Sequence, residues 1–552
     1  MRWAVFFLFI LVLVCQVSAF QIVEFCPDTY LPGDNDEYII IEGDGNLDGV
    51  IITDGEGGFR FPAGTRIQGR SVIARMGASF LKSHGHLPDF EWEDSMAAVP
   101  DVVRSGQLRL ANARDQLQLL RNGIILQEIE WPGDVVPRQG QVHFLNEGLW
   151  DQRIILLGQS RFEPERYEEI TGIGFVSPDC SFAVFETAVS GAKESILVNV
   201  YEFTSQRMAD LLITARNRGV NITVLIEGGP VGGISAEEQS VIFRLAGNGI
   251  RVIEMTSTGD SHAPYRFNHA KYMVIDRCRT FITSENFKEN GFPGQGMIGN
   301  RGWGVYLESE QMASYFTNIF EFDCNGGWVR EVYGQEGPNE SLPEIPYRVE
   351  FQPLSFTCTD AVPVISPDTS SMILEMIEEA RVSIDIEQAY ITNSSDQQLN
   401  PFLDAAVNAS RRGVKVRVLL DSYWYNVEDT NDNDEMAALI NSISLSESLP
   451  LEARCAGLEP NNLEKIHNKG VIVDLQKVLV SSINWNDNSP NFNREAGIII
   501  SDPVAAAYFS SVFEDDWNAS SAGEADSADY LKYAITGVVI FLLIVIYMRR
   551  RR

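Results

Sequence analysis

The sequence lacks a surplus of basic residues: 43 Lys+Arg stand against 76 Asp+Glu, which gives a formal net charge of −33 at pH 7. General nucleic-acid binders present a basic face, so the composition argues against that class of protein. The acidic surplus is typical of a solvated surface. Because salt shortens the reach of surface charge to about 10 Å at 0.1 M, a local basic pocket for a phosphate group remains compatible with it.

Two common site motifs are also missing. No C-x-x-C pair occurs, which argues against a zinc ribbon or a thiol redox motif. The glycine-rich segment 228–233 has neither the Lys-Ser/Thr of a nucleotide-binding P-loop nor the spacing of a dinucleotide fingerprint, so we interpret it as a turn. Six of the seven cysteines lie beyond residue 19, and they permit up to three disulfides or remain buried thiols.

The N-terminus has the order of features expected of a secretory signal peptide. A basic residue at Arg2 precedes the apolar run Ala4–Val14, and small residues near Ala19 offer a cleavage site. We therefore assign residues 1–19 to a signal peptide. An N-terminal anchor that is not cleaved is the alternative.

A second apolar segment lies at the C-terminal end. Residues 531–548 predict a transmembrane helix near the minimum length for a bilayer, and the four arginines at 549–552 favour a cytoplasmic position for that end. The acidic stretch that begins at Glu514 is interpreted as a spacer, counted as a separate segment over 519–530. Together with the signal peptide, this arrangement predicts a single-pass cell-membrane protein with its larger domains outside the cytoplasm.

Residues 20–160 show short alternating strands separated by Gly, Asn and Asp, which predicts an all-β sandwich. The order of features resembles the lamin tail domain, an immunoglobulin-like sandwich. The residues that carry the resemblance are EYI at 37–39, LDGV at 47–50, FPAGT at 61–65, and LAN at 110–112 with Asp115. The resemblance implies a binding or positioning role for this domain and no chemistry of its own.

The remainder of the chain predicts a duplicated α/β fold, with halves at 171–333 and 347–518. In each half, helical patterns alternate with buried strands. The segment Arg218–Glu227, RGVNITVLIE, matches Arg412–Asp421, RGVKVRVLLD, so the scaffold itself is repeated. Polar linkers are predicted at the two joins, 162–170 and 334–346.

One polar pattern occurs twice in these halves. The segment Arg266–Phe287 contains a His, a Lys two residues later, an Asp five residues after that, and then Ser-x-Asn. Lys465–Trp485 repeats the pattern at identical spacing. The matched pairs are His269 with His467, Lys271 with Lys469, Asp276 with Asp474, Ser284 with Ser482, and Asn286 with Asn484. Their repetition on a duplicated scaffold predicts one site built from both copies.

The residue types of this pattern favour phosphate chemistry. Residues two apart in a strand share a face, so each His and its Lys are expected to point the same way. Two imidazoles with two ammonium groups make a poor metal site but a good phosphate site, where lysines supply charge and Ser and Asn supply hydrogen bonds. One histidine can attack phosphorus while the other protonates the leaving oxygen and then activates water.

The pattern H-x-K-x4-D-x6-G-S-x-N resembles that of the phospholipase D superfamily, in which two copies in one chain are usual. The resemblance covers about residues 171–518. It implies a site at the interface of the halves and phosphodiester cleavage through a covalent phosphohistidine, without metal or other cofactor, in a monomeric catalytic unit. The family's Gly before Ser is Thr283 in one copy and Ser481 in the other, which are small departures.

The resemblance also implies roles for the matched residues. The catalytic set comprises the two histidines and two lysines, with Asp276 and Asp474 counted in it as structural or orienting groups, and the Ser and Asn pairs bind the phosphate. Family members carry an orienting carboxylate at the position of Glu495, where the first half has Gly302. We expect Glu495 to support His467 of its own half and to favour its imidazolium form. His467 is then the general acid and base, and His269 the nucleophile.

The substrate class is less clearly indicated than the reaction. Membrane anchoring and acidity favour a phospholipid, hydrolysed or transferred, and this is the substrate that we favour. An external location and a lamin-tail-like module favour extracellular DNA or RNA, with Tyr265, Trp303, Tyr423 and Trp424 as candidate base-stacking residues. The alternatives are therefore an extracellular nuclease and a non-catalytic cell-surface binding protein.

Overall fold

The computed structural model describes residues 20–133, 135, 138–151, 153–258, 261–334, 346–395, 398–428 and 432–520. The predicted signal peptide, transmembrane segment and arginine tail lie outside these residues, together with most of the second linker and of the spacer. In the described part of the chain, no helix is long and apolar enough to cross a membrane. The chain divides into two compact units, Met1–Gly158 with Gly259–His262, and Gln159–Thr258 with Ala263–Arg552.

The first unit is built from strands and one short helix. Its described elements are β1 (Gln21–Cys26), β2 (Tyr38–Asn46), β3 (Val50–Thr53), β4 (Gly58–Arg60), β5 (Arg66–Ala74), α1 (Gly77–His84), β6 (Phe90–Glu91), β7 (Val103–Ser105), β8 (Asp115–Arg121), β9 (Ile124–Trp131), β10 (His143–Asn146) and β11 (Leu149–Trp150). They form two sheets, in the orders β11-β10-β1-β2-β5-β6 and β7-β4-β3-β8-β9.

Alternating apolar residues of both sheets enclose one core. Ile39 and Ile41 from β2, and Leu117 and Leu119 from β8, are fully buried and belong to the same apolar cluster. Because successive side chains of a strand point to opposite faces, this period-two pattern gives each sheet one buried face. The unit therefore has two packed sheets as predicted for residues 20–160, but the helix α1 departs from the all-β prediction. The relation to lamin tail domains stays a prediction.

The first half of the second unit alternates strands and helices. Its described elements are β12 (Tyr167–Ser177), α2 (Ser181–Ser190), β13 (Ser195–Val200), α3 (Gln206–Asn217), β14 (Asn221–Glu227), α4 (Ala236–Gly247), β15 (Arg251–Met255), β16 (Tyr272–Ile275), β17 (Arg279–Thr283), β18 (Gly302–Glu308), α5 (Glu310–Asp323) and β19 (Val329–Val332). The glycine-rich segment 228–233 is a loop between β14 and α4, as predicted.

The second half repeats this order. Its described elements are β20 (Leu354–Ser366), α6 (Met372–Glu378), β21 (Ser383–Gln388), α7 (Pro401–Arg411), β22 (Lys415–Leu420), α8 (Trp424–Glu428), α9 (Asn433–Glu447), β23 (Leu451–Cys455), β24 (Lys469–Val473), β25 (Lys477–Ser481), α10 (Asn488–Asn491), β26 (Glu495–Ser501) and a helix over 503–520, here α11. The duplicated α/β fold predicted from the sequence is confirmed.

Local sequence explains these elements. The parallel strands β13, β14 and β22 consist largely of Val, Ile and Leu, and most of these side chains are buried, which a sheet covered by helices requires. Their more polar partner β21 contributes Ile384 and Ile386 to the core. Helices begin at polar caps: Ser205 accepts the amide of Met208 before α3, and Asn400 accepts the amide of Phe402 before α7. The apolar faces of these helices pack on the sheet.

Both halves share one 15-stranded sheet, in the order β19-β15-β14-β13-β16-β17-β18-β12-β20-β26-β25-β24-β21-β22-β23. The long strands β12 and β20 pair antiparallel at its centre. The matched strands of the two halves follow in the same order on either side of this pair, and β19 is an additional edge strand on the side of the first half. Some strands that lie far apart in this order also contact each other: β17 and β18 pack against β25. The sheet therefore folds over at its centre and brings the two halves face to face.

Arg301, which immediately precedes β18, joins the two halves. Its guanidinium donates to Asp179 of its own half at 2.9 Å and to Asp516 on α11 of the other half at 2.7 Å. The arginine side chain is 0% exposed, and so is that of Asp179. A charge buried this deeply is stable only with its carboxylate partners, so the contact ties α11 to the first half.

Arg494, which immediately precedes β26, makes the reciprocal contact. It donates to Asp368 of its own half at 2.9 Å and to Asp323, at the end of α5 in the first half, at 2.7 Å. It also donates to the hydroxyl of Ser160 at 2.6 Å. The two arginines occupy matched positions of the duplicated scaffold, so we call them the crossed arginines.

Two linker assignments are wrong. The predicted linker 162–170 contains the start of β12, in which Tyr167 and Ile170 are buried. The predicted spacer from Glu514 begins as the last turns of α11, where Asp516 is buried against Arg301. In both cases polar residues on a structured element resemble a linker, because their partners are distant in sequence. Helix α9 was also not predicted.

Six cysteines lie in the described part of the chain, and none of them forms a disulfide: Cys26, Cys180, Cys278, Cys324, Cys358 and Cys455. Of the two alternatives left open by the sequence, the described residues therefore favour thiols over disulfides. Burial raises the pKa of Cys180 to about 11 and that of Cys358 to about 11, so both remain protonated at neutral pH.

Replacement of a crossed arginine should destabilise the second unit strongly. In Arg494→Met, Asp323 and Asp368 remain buried without their cation, and we expect a loss of about 3–5 kcal/mol in the free energy of unfolding. Urea unfolding followed by tryptophan fluorescence measures it. Arg411→Met is the matched control, because its pair with Glu447 is exposed and should contribute nothing measurable. Equal stability of the two variants would contradict the role assigned to Arg494.

Candidate active site

Each motif histidine forms a backbone hydrogen bond with the crossed arginine of the other half. The amide of His269 donates to the carbonyl of Arg494 at 2.8 Å, and the amide of His467 donates to the carbonyl of Arg301 at 2.9 Å. The crossed arginines therefore determine which residue lies next to each histidine. In both cases it is the residue after the arginine, contributed by the opposite half.

Glu495 is the carboxylate partner of His269. The Nδ1 atom of His269 lies 2.8 Å and 3.0 Å from the two carboxylate oxygens. The same carboxylate accepts the hydroxyl of Ser482 at 2.6 Å and the side-chain amide of Asn493 at 3.0 Å. The prediction that Glu495 supports His467 of its own half is therefore wrong, because the halves cross at this point and the carboxylate reaches the opposite histidine.

His467 has a carboxylate partner that sequence analysis missed. Its Nδ1 atom lies 3.2 Å from Oε1 of Glu285, the variable residue of the first Ser-x-Asn. The side-chain amide of Asn300 donates to the other oxygen of Glu285 at 2.9 Å. Both histidines are thus paired with a carboxylate. The signal in the sequence was a charged residue where the second copy of the motif has the apolar Ile483.

The motif lysines point back toward their histidines. The Nζ atom of Lys271 donates to the carbonyl of His269 at 2.6 Å, and that of Lys469 donates to the carbonyl of His467 at 2.5 Å. Both lysines are buried. The ring of Tyr201 lies against the first pair, 5.5 Å from Nζ of Lys271 and 4.6 Å from the imidazole of His269. The two pairs make a recessed cationic pocket.

The two histidine–carboxylate pairs differ in charge. Burial alone raises the pKa of Glu495, but the charge and hydrogen bond of His269, with Lys271, bring it below its usual value. Burial raises the pKa of Glu285 to about 7. Glu495 is therefore held in its carboxylate form, whereas burial makes Glu285 the more readily protonated of the two.

Burial and neighbouring cations favour the neutral forms of the pocket's bases. Burial lowers the pKa of His269, with partial compensation by Glu495. The pKa of His467 is lowered well below its usual value by burial and by the nearby lysines. Burial also lowers the pKa of Lys271 to about 8, and burial with the charge of Lys271 lowers that of Lys469. An anion in the pocket would restore these charges, which is the electrostatic property of a phosphate site.

Asp276 and Asp474 lie away from the histidines, in the hairpin turns that follow β16 and β24. Five residues of strand place each about 16 Å from its motif lysine. Asp276 accepts the amides of residues 193–195 at 2.7–3.1 Å, and Asp474 accepts those of residues 381–383 at 2.7–3.3 Å. The prediction that these aspartates belong to the catalytic set is wrong. They have a structural role, because each fixes its hairpin turn to a segment that precedes it in the chain.

The Ser and Asn pairs separate into two roles. The hydroxyls of Ser284 and Ser482 accept hydrogen bonds from backbone amides of the neighbouring strands at 3.1 Å and 3.0 Å. These serines therefore support the strands, whereas the sequence analysis had assigned them to phosphate binding. Asn286 donates to Glu202 at 2.9 Å. Asn286 and Asn484 each retain a buried amide oxygen without a protein partner. The asparagines therefore keep polar atoms for a substrate or for water.

Of the four candidate stacking residues, two belong to the core. Tyr265 packs on the guanidinium of Arg494 and Trp303 is fully buried, so neither can hold a base. Trp424 is 58% exposed and forms an aromatic cluster with its two tyrosine neighbours. Lys465, two residues before His467, lies 5.8 Å from the ring of Tyr425 in this cluster.

The sequence matches the model of a protein family described as cardiolipin synthase, PLD-like domain. The matched residues are 186–324 and 373–517, together slightly more than half of the chain. The chain belongs to this phospholipase D-like family. Both matched segments contain one His-Lys pair each, and the membership supports a phosphodiesterase-type enzyme.

Three solved structures are similar to parts of this phospholipase D-like chain. Nuc from Salmonella typhimurium, a phospholipase D family member, is 19% identical, covers 31% of this chain and 100% of its own, and has a TM-score of 0.25. Phosphatidylserine synthase of Haemophilus influenzae Rd KW20 is 12% identical, covers 63% of this chain and 85% of its own, and has a TM-score of 0.45. NucT from Helicobacter pylori is 18% identical, covers 29% of this chain and 96% of its own, and has a TM-score of 0.24. No curated protein sequence matches the chain.

Binding of a tetrahedral oxyanion should weaken at alkaline pH. Because the pKa of Lys271 is lowered to about 8, the lysine loses its charge as the pH rises through 8, well below the usual range for lysine. We expect the dissociation constant of tungstate, whose charge is constant over this range, to rise about tenfold between pH 7 and pH 9 by calorimetry.

Two variants test the assignment of this pH dependence to the pocket. Lys271→Met should bind tungstate weakly at every pH, whereas replacement of the exposed Lys415 by Met should leave both the affinity and its pH dependence unchanged. Affinity in the parent protein that stays constant to pH 10 would contradict the lowered pKa.

Proposed function

We propose that the protein is a membrane-anchored, extracytoplasmic phosphodiesterase of phospholipase D type, which hydrolyses or transfers a phosphodiester through a phosphohistidine. The observation that carries the proposal is the pocket in which two His-Lys pairs from the two halves converge, each histidine bound at Nδ1 by a buried carboxylate. Since one chain supplies both pairs, a monomeric catalytic unit is sufficient.

The first step forms a bond between phosphorus and Nε2 of His269. The carboxylate of Glu495 accepts a hydrogen bond from Nδ1–H of this histidine, which leaves the Nε2 lone pair free for attack and stabilises the positive charge of the phosphorylated ring. The bond from phosphorus to the leaving oxygen breaks, and Nε2 of His467 gives its proton to that oxygen. Lys271 and Lys469 offset the charge of the non-bridging phosphate oxygens.

The second step releases the phosphate. A water molecule, or the hydroxyl of an acceptor in a transfer reaction, attacks phosphorus while the bond to Nε2 of His269 breaks. His467 takes the proton of the attacking oxygen and is ready for the next cycle. Glu285, with a pKa of about 7, is suited to the partner of a histidine that alternates between two protonation states.

A phospholipid is the substrate that we favour. The chain has a net charge of −33, which repels a polyanion, whereas a phospholipid presents a single phosphodiester at the surface to which the predicted anchor would hold the protein. The motif histidines are only 13% and 15% exposed, so the substrate must present its phosphate on a slender group.

Single-stranded nucleic acid is the second candidate. The exposed indole of Trp424 and its tyrosine neighbours, connected to the pocket through Lys465, provide a surface on which bases can stack. A nuclease of this kind would hold the backbone in the cationic pocket and one or two bases on the aromatic cluster.

The histidine roles can be tested with an activated substrate. On a p-nitrophenyl phosphodiester the leaving group needs no proton, so His467→Ala should form the phosphohistidine and hydrolyse it slowly. We expect an adduct on His269 by mass spectrometry after an alkaline quench, and none in His269→Ala. On ordinary phosphodiesters both variants should lose about 10³-fold or more in kcat. An adduct mapped to His467 in the parent protein would reverse the assignment.

Assays with phosphatidylcholine vesicles and with single-stranded DNA, both in EDTA, distinguish the candidate functions. The purified protein should release choline from phosphatidylcholine vesicles, and Trp424→Ala should leave that rate unchanged. Cleavage of single-stranded DNA instead, with a loss of about tenfold or more in Trp424→Ala, would favour the nuclease. If neither substrate reacts and His269→Ala behaves like the parent protein, the chain is a non-catalytic binding protein.

A further inference from the structure

The two carboxylates that bind the histidines originate at different positions of the duplicated scaffold. Glu495 is the residue after Arg494, but the residue after Arg301 is Gly302, which has no side chain. Glu285 comes from the middle of Ser-x-Asn, where the other copy has Ile483. The first half therefore has Glu285 and Gly302 at the two positions where the second half has Ile483 and Glu495.

Position 302 must be a glycine because the carboxyl group of Glu285 occupies the space next to it. A Cβ atom built at Gly302 would lie 2.3 Å from Oε1 and 2.5 Å from Cγ of Glu285, which is far inside contact distance. The carboxyl group of Glu285 thus occupies the space in which the side chain of residue 302 would begin. A carboxylate from either position fills this volume, and both together do not fit.

A matched asparagine holds each carboxylate. Asn493, two residues before Glu495, donates to it at 3.0 Å, and Asn300, two residues before Gly302, donates to Glu285 at 2.9 Å. The asparagines have kept their place in both halves while the carboxylate has moved in one. The surrounding groups are therefore those of one and the same carboxylate site.

We propose that Glu285 is the positioning residue of His467 and has taken over the role of a carboxylate at position 302. It orients the imidazole through Nδ1 so that Nε2 faces the leaving oxygen. This inference rests on the proposed phosphodiesterase reaction and identifies a further residue that the reaction needs. Since Glu285 reaches the histidine from another backbone position, the two halves are unequal although the motifs are identical in spacing.

Relocation of the carboxylate tests the proposal. Glu285→Gln and Glu285→Ile should lower kcat by about 100-fold while KM changes less, because the histidine and not the phosphate loses its partner. Gly302→Glu alone should be impaired by the collision. The double variant Glu285→Ile with Gly302→Glu reproduces the arrangement of the other half and should recover kcat to within about tenfold of the parent. Glu289→Gln, in a pair with Arg207 away from the histidines, is the control that should keep full activity.

A second readout does not depend on turnover. The nitrogen-15 shifts of the His467 imidazole, assigned by comparison with His467→Ala, should report a hydrogen-bonded Nδ1 in the parent, lose it in Glu285→Ile and regain it in the double variant. Full activity of Glu285→Ile, unchanged shifts in it, or a folded double variant no better than the single variants would each overturn the proposal. If the parent cleaves no phosphodiester, the proposed function fails, and the shifts still decide whether Glu285 holds His467.

Discussion

The buried ion pairs of the crossed arginines are the interactions on which the rest of the second unit depends. Arg301 and Arg494 each bind carboxylates of both halves, so separating the halves leaves charges without partners in an apolar interior. The same residues accept the backbone amides of the opposite histidines. A slip of one residue along these strands would turn the next side chain to the other face. Cohesion of the halves and geometry of the pocket therefore have one origin.

Duplication creates a difficulty that the chain resolves with its carboxylates. Two copies of one motif place two similar imidazoles in one pocket, whereas phosphoryl transfer needs a nucleophile and a proton donor. Here His269 faces a carboxylate whose pKa is lowered, and His467 faces Glu285, whose pKa is about 7. The distinction comes from residues outside the repeated positions. Divergence around a fixed motif thus gives two equal side chains unequal surroundings.

The acidic composition and the cationic pocket act over different distances. The surface charge is screened by salt within about 10 Å, while the buried lysines act on each other and on the histidines in a medium that screens poorly. Burial lowers the pKa of both lysines, the charge of Lys271 lowers that of Lys469 further, and an anion beside them opposes these shifts. The electrostatics of this pocket are therefore local.

The sequence by itself determined the duplicated α/β fold, the family and the four residues of the two His-Lys pairs, because these depend on periodicity and on spacing within short segments. It did not determine the carboxylate partners. Glu495 was assigned to the wrong histidine and Glu285 was missed, since the partner of each histidine comes from the other half, about 180 to 230 positions away. Polar residues of β12 and α11 were read as linkers for the same reason. Only the tertiary structure decides such contacts, because the crossing of the halves, and not proximity in the chain, brings the residues together.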